Sequence, residues 1–284
     1  MALNIGMIGK TYGPFIKEYN FREAVLIALG CNAGFDGKTD IEYCYEKDLK
    51  LLPIYYAVPA LDIEVTKTMD WGFNWSGSLH WGFDFKVIKP LDPLKPCKLY
   101  TMVTLKGLYD RGWGRGTLAW HYGETFDEEG NLLFTNDSWD CGIYDGGWGG
   151  PLAPKDIVDM PDCKPDFEVI EKVSMNTALI HSLLGSSHLL HIDWEYTKRY
   201  GYQTPVLQST AVAGIACRHI ISKICSFMPE KLVRFKTRIT KSVLLGTTLK
   251  TQIWKMDDGS VRFRCVDAED DSFIYLNYSL AEFK

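Results

Sequence analysis

The chain has 284 residues, with 31 Lys and Arg against 36 Asp and Glu, a formal net charge of -5. That balance argues against a nucleic-acid binder, which needs a basic face to neutralise phosphates. Hydrophobic residues make up 46% and charged residues 24%, ordinary values for a globular protein with room for one large domain or two small ones.

Nine tryptophans, 15 tyrosines and 14 phenylalanines suit aromatic cores first and a wide pocket for a flat or greasy ligand second. Eight cysteines stand without a CxxC or other metal-ligand spacing and read as reduced intracellular thiols. The opening MALNIGMIGKTYGPF lacks a basic region followed by an apolar run, and the closing LAEFK carries no peroxisomal address. No segment approaches the ~20 consecutive apolar residues of a membrane span. A soluble, cytoplasmic protein is expected.

In chain order, FREAVLIALG (21–30) predicts a short helix capped by Gly30. Pro53 and Pro59 break the apolar run LLPIYYAVPAL, so no long helix is expected there. Strand-like runs follow at 80–91, 98–112, 116–127 and 132–144, separated by turn signals such as DEEGN. The cluster GGWGG (146–150) opens a crossover. After it, SMNTALIHSLLG (174–185) predicts a helix with Ser174 at its N-cap. TPVLQSTAVAGIACRHIISKI (204–224) is apolar all round save Arg218 and His219, which marks a buried helix. LVRFKTRITKSV, TTLKTQIWKMD and SVRFRCVDAED read as strands, with Asp258-Gly259 as a hairpin turn, and SFIYLNYSLAEF closes the chain. The fold class is α+β: a sheet curled around a helix, present twice, at 1–150 and 166–284 with a linker at 151–165. The first copy has lost most of its helix.

This order, with YEKDLKLLPIYYAVPAL, FKVIKPLDP, ETFDEEGNLLFTN and GGWGG in the first half and LLHIDWEYTKRYGYQTPVL and KSVLLGTTLKTQIWK in the second, resembles the MaoC-like double-hotdog proteins. The likeness is greatest to hydratase 2, the (R)-specific enoyl-CoA hydratase module of peroxisomal multifunctional enzymes and their bacterial relatives. It implies a degenerate N-terminal hotdog that makes room for the acyl chain and an active site in the C-terminal hotdog. The family signature runs glycine–aspartate–any–asparagine–proline–leucine–histidine–isoleucine–aspartate. On GSSHLLHID, Gly185, Leu190, His191, Ile192 and Asp193 match it. The family's catalytic aspartate falls on Ser186, its asparagine on His188 and its proline on Leu189.

In the family an aspartate and a histidine share one water, a pairing that suits proton transfer near neutral pH. A serine hydroxyl does not ionise there, so Ser186 is expected to place the water while His188 and His191 exchange the protons. The mesaconyl- and methylfumaryl-CoA hydratases look similar in having histidines at these two places. A second reading is a dead or repurposed site in which His191 is structural. A third, a metal site from His188, His191 and Asp193, lacks a further ligand, and the resemblance implies no metal. His80, His121, His181 and His219 read as structural.

The thioester oxygen is expected at the N-terminus of the second-half helix, at Gln208, Ser209 and Thr210, where the family has a histidine–glycine pair. Asp193 is a further substrate contact, and Trp148 a wall of the acyl pocket. Arg234, Lys236 and Arg238 on one strand, with Arg218, are candidates for the CoA phosphates, against the plainer reading of a wet strand face. The resemblance thus implies hydration or dehydration of an α,β-unsaturated acyl-CoA, and the altered site with the tryptophan-rich first half points to a bulky, cyclic or aromatic acyl group. No cofactor beyond the CoA ester is implied. The alternatives are a non-catalytic acyl-CoA-binding hotdog and a thioester hydrolase drawing on Asp193 or Glu195. The partner is a small acyl-CoA, with homodimerisation or pairing with another hotdog subunit.

Overall fold

The computed structural model describes residues 3–61, 65, 68, 69, 71–185 and 188–284, residue 76 by its backbone alone. The first half runs β1 (Thr11–Tyr19), α1 (Phe21–Gly30), α2 (Val58–Leu61), β2 (Ser78–Val87), β3 (Cys97–Asp110), β4 (Thr117–Phe126) and β5 (Leu132–Gly142). The second runs β6 (Phe167–Lys172), α3 (Thr177–Ser182), α4 (Trp194–Arg199), α5 (Ser209–Ile224), β7 (Leu232–Ile239), β8 (Thr248–Lys255), β9 (Val261–Asp267) and β10 (Ile274–Phe283). Among the described residues no helix is long and apolar enough to cross a membrane.

The strands lie where alternation places them. In β3, Leu99, Thr101, Val103 and Leu105 face the core and the residues between them turn outward. All strands join one antiparallel sheet in the order β1-β3-β4-β5-β2-β7-β10-β9-β8-β6. Each half therefore has the same internal order, first-third-fourth-fifth-second, and the two meet through their second strands. The seam pairs Gly82 with Arg238 through to Lys86 with Arg234. A Cβ at Gly82 would sit 2.6 Å from the Thr237 carbonyl oxygen, so only glycine lets the strands close there.

The 16-residue α5 crosses the hollow of the second half, and every residue from Ala211 to Ile221 is buried. At the same place in the first half, between its first and second strands, stand the ten-residue α1 and a 3-10 turn at Pro53–Ala57. Pro53 and Pro59 account for the shortness, as expected.

Some local expectations are corrected. Gly30 ends α1 without a left-handed conformation; the left-handed residue is Asn32, with φ 65°. Glycine is needed at 30 because a Cβ would lie 2.9 Å from the His181 Cα on α3. Ser174 does not cap α3, which begins after Asn176; its N–H donates to Asn32 Oδ1 at 3.0 Å. Residues 204–208 are not helical, because Val206 bridges to Leu244 and Leu207 N–H donates to Val243 O at 2.8 Å.

Arg218, expected near the CoA phosphates, is 2% exposed and unavailable to them. Its Nε donates to Cys31 O at 3.1 Å, its Nη2 to Glu171 Oε1 at 2.6 Å and its Nη1 to Asp40. Glu171 also receives Asn32 Nδ2 at 2.7 Å and faces His219 Nε2 at 3.2 Å, while His219 Nδ1 meets Thr251 Oγ1 at 2.9 Å. Burial alone would raise the Glu171 carboxyl, but His219 and Arg218 outweigh it and hold it below the usual range. Glu171→Ala leaves a guanidinium buried beside an imidazole and is expected to cost about 3–5 kcal/mol. Arg234→Ala, at a partly exposed pair with Asp84 and Glu282 whose arginine side chain keeps 24% of its surface in water, is expected to cost less, about 1 kcal/mol. Urea denaturation of the two variants checks the ranking; equal losses contradict it.

Candidate active site

A cavity of about 310 Å³ opens between the halves, between the α5 N-terminus and the first residues of β2. On its second-half wall, residues 188–191 form a 3-10 turn that His188 caps: its Nδ1 accepts the Leu190 N–H at 3.2 Å. Leu190 O accepts the Val206 N–H at 3.0 Å, and His191 Nδ1 donates to Val206 O at 2.7 Å. The turn is thereby stitched to the strand-like segment that leads into α5.

These bonds assign the ring protons. A carbonyl only accepts, so His191 carries its proton on Nδ1 and a lone pair on Nε2. A backbone N–H only donates, so His188 keeps its lone pair on Nδ1 and its proton on Nε2. The ring centres stand 6.0 Å apart with the planes at 65°, and both rings line the cavity. Enclosure pushes His191 down to about 4; the Val206 bond opposes this in part and His188 adds to it. His191 is thus neutral near pH 7. The His188 Nδ1 is engaged by the Leu190 N–H. Ser186 lies outside the described residues.

Gln208, Ser209 and Thr210 line the cavity at the start of α5. Gln208 Nε2 donates to Ala178 O at 3.0 Å, and Thr210 Oγ1 meets His181 Nε2 at 3.0 Å. The first-turn N–H groups of α5 have no helical acceptor and favour negative charge. Two expected contacts fall elsewhere. Asp193 is exposed and caps α4, its Oδ1 accepting the Tyr196 N–H at 2.8 Å. Trp148 is outside the cavity wall, its Nε1 donating to Thr117 Oγ1 at 2.8 Å.

Two groups that sequence reasoning passed over join the wall from the first half. His80 Nδ1 lies 2.7 Å from Ser209 Oγ and its Nε2 3.3 Å from Ser138 Oγ. Asp140, paired in register with His80, also lines the cavity. These positions are far apart in sequence, and only strand register brings them together.

Trp81 lines both this cavity and a second cleft of about 270 Å³ that holds Arg111, Arg115, Lys155, Lys236 and Arg238. Arg111 and Arg238 each lie 4.3 Å from the Trp81 ring centre. Burial and then the Arg111 charge lower Arg238. Lys236 pairs with Asp156. Arg234 is held by Asp84 at 2.7 and 2.9 Å and by Glu282 at 2.8 Å, so its charge is already answered.

Burial lowers His80 and His191 to about 4 and His121 and His181 to about 3. An unfolded chain protonates all four below about pH 6.5. Their contribution to stability is therefore constant above that pH and falls between about 6.5 and 4, by on the order of 1.4 kcal/mol per unit for each ring. Asp140, pushed up to about 7 by burial, works the opposite way and offsets one of them. The urea midpoint is expected to drop steeply from pH 7 to pH 5; an unchanged midpoint contradicts the neutral, buried rings.

A family model described as MaoC like domain matches residues 157–272. The 3-hydroxyacyl-thioester dehydratase Y of Mycobacterium tuberculosis is 27% identical over 281 residues, covering 95% of this chain and 94% of that protein. Peroxisomal multifunctional enzyme type 2 of Mus musculus is 24% identical over 261 residues, covering 88% of this chain and 35% of that much longer protein. The crystal structure of a MaoC-like dehydratase from Phytophthora capsici superposes with a TM-score of 0.84 at 23% identity, over 99% of this chain and 98% of that one. The chain thus has the double-hotdog fold of its structural neighbours, and its residues 157–272 match the MaoC like domain.

Proposed function

We propose that the protein adds water to, or removes it from, an α,β-unsaturated acyl-CoA thioester, with His191 and His188 acting on one water. The observation that carries this reading is that the two rings, side by side on one cavity wall, are held by opposite backbone groups, His188 Nδ1 by an N–H and His191 Nδ1 by a carbonyl. The His188 Nε2–H donates to the water oxygen and orients it, and the His191 Nε2 lone pair takes a water proton as the oxygen bonds to the β-carbon. The π electrons shift towards the thioester carbonyl, whose oxygen is stabilised by the first-turn N–H groups of α5. The imidazolium then gives its proton to the α-carbon, and His191 returns to neutral. Because burial makes that imidazolium a strong acid, its proton is returned readily. Arg238, with Arg111, Arg115 and Lys155, takes the CoA phosphates in the cleft that shares Trp81 with the cavity, and Lys236 joins them where a phosphate displaces Asp156. The homology to hydratases and dehydratases supports the reaction class.

Hydrolysis of the thioester is a second reading. It draws on the 2.7 Å contact between Ser209 Oγ and His80 Nδ1, a hydroxyl beside a base at a helix N-terminus. Asp193 serves as a cap and Glu195 pairs with Lys198 at 2.8 Å, so neither is turned to a water in the cavity.

The test is a panel of enoyl- and hydroxyacyl-CoA esters followed by mass spectrometry for the gain or loss of one water, with a thiol assay beside it. His191→Ala is expected to lower turnover by about 10²–10⁴-fold. His188→Ala is expected to lose less, and His188→Asn, which keeps an N–H donor, to recover part of the loss. Full turnover in His191→Ala, or free thiol without any change of one water, overturns the proposal.

A further inference from the structure

Asp140 sits where an acyl pocket has no use for a carboxyl. Apart from Ser78 and His80, the first-half wall beside Asp140 is built from apolar and aromatic side chains, among them Val58, Leu61, Trp75, Leu79 and Trp81. Asp140 is the only carboxyl lining the cavity among the described residues, and the residue is 9% exposed. Its nearest polar partner is His121 Nδ1 at 3.6 Å, too far for a hydrogen bond. With 13% of its side chain exposed, the carboxyl lines the space a ligand would fill and is otherwise withdrawn from water without a hydrogen bond from the protein, an arrangement that favours a polar partner supplied from the cavity.

We propose that Asp140 is a specificity-determining residue that accepts a hydrogen bond from a hydroxyl on the acyl group, so that the substrate is a hydroxylated, cyclic or aryl acyl thioester rather than a plain alkyl one. This rests on the reading of the cavity as an acyl-thioester site. Strand register turns Asp140 and Ser138 of β5 towards the same inner face as His80 of β2, whereas His188 and His191 stand on the second-half wall. Recognition and proton transfer thus belong to different halves. A hydroxyl meets the need in either state of the carboxyl, as donor to the charged form or as donor and acceptor to the neutral one. Burial pushes Asp140 up to about 7, so both states are within reach near neutral pH. An acyl carboxylate would face it with like charge, and an ammonium would have to shed its hydration beside the buried imidazoles of His80 and His121.

Calorimetric titration with saturated esters, which cannot be hydrated, tests the subsite apart from the reaction. The probes are 3-phenylpropanoyl-CoA, its 2-, 3- and 4-hydroxyphenyl forms and its 4-methylphenyl form. At least one hydroxylated ester is expected to bind roughly ten- to a hundred-fold more tightly than the methyl ester. Asp140→Leu is expected to erase that preference by weakening the hydroxylated ester; Asp140→Asn, close in shape, takes its place should the leucine variant not fold, and is expected to reduce the preference several-fold. Equal binding of all the esters by the native protein, or a preference that survives both substitutions, overturns the role of Asp140. Hydroxyl-selective binding with no gain of water by any unsaturated ester overturns the hydratase reading alone.

Discussion

The buried guanidinium of Arg218 is the constraint on which the architecture turns. It lies in the middle of a helix that is apolar on every side, so its charge has to be answered inside the protein. The answers come from three places: the carboxylate of Glu171 on β6, that of Asp40 in the first half, and the carbonyl at the end of α1. The same carboxylate receives Asn32 and His219. Breaking a carboxylate spoke leaves part of that charge unanswered away from water. The hub thereby fixes α5 along its axis and binds the two halves at the end away from the seam. The cavity depends on that placement, since its floor is the first turn of the same helix.

Placement of α5 decides what Ser209 can reach. The helix brings the serine to His80 of the other half, and the His188–His191 turn is tied to the segment immediately before it through Val206. The two histidines owe their different protonation to backbone groups rather than to one another. That is an economical way to distinguish two identical side chains, because a carbonyl and an N–H leave the imidazole no choice of tautomer.

Much of the fold was legible in the sequence. Alternation with turn signals located the strands of the meanders, and the all-round apolar character of 204–224 marked a buried helix, which begins at Ser209. The same helix held a clue read the wrong way: an arginine within a buried segment calls for an internal counter-charge, not for a phosphate. Residues 204–208 have helix-compatible composition, and only pairing with the 243–244 segment pulls them straight. The turn of His188 and His191 was visible as a local motif. His80 and Asp140 were not, because their meeting follows from strand register and from the packing of one half on the other. Trp148 and Asp193 looked functional by position and proved to be a hydrogen-bonding support and a helix cap.

A sheet of ten strands that does not close leaves two borders, β1 and β6, each with unpaired backbone groups on which another chain could build. Both borders carry deterrents. β1 contains Pro14, which lacks an N–H, together with Lys17 and Glu18; β6 contains Glu168, Lys172 and the inward-turned Glu171. The carboxylate that anchors Arg218 is therefore also a gatekeeper: a strand added beside β6 would be laid next to an ion pair that tolerates no shift of register.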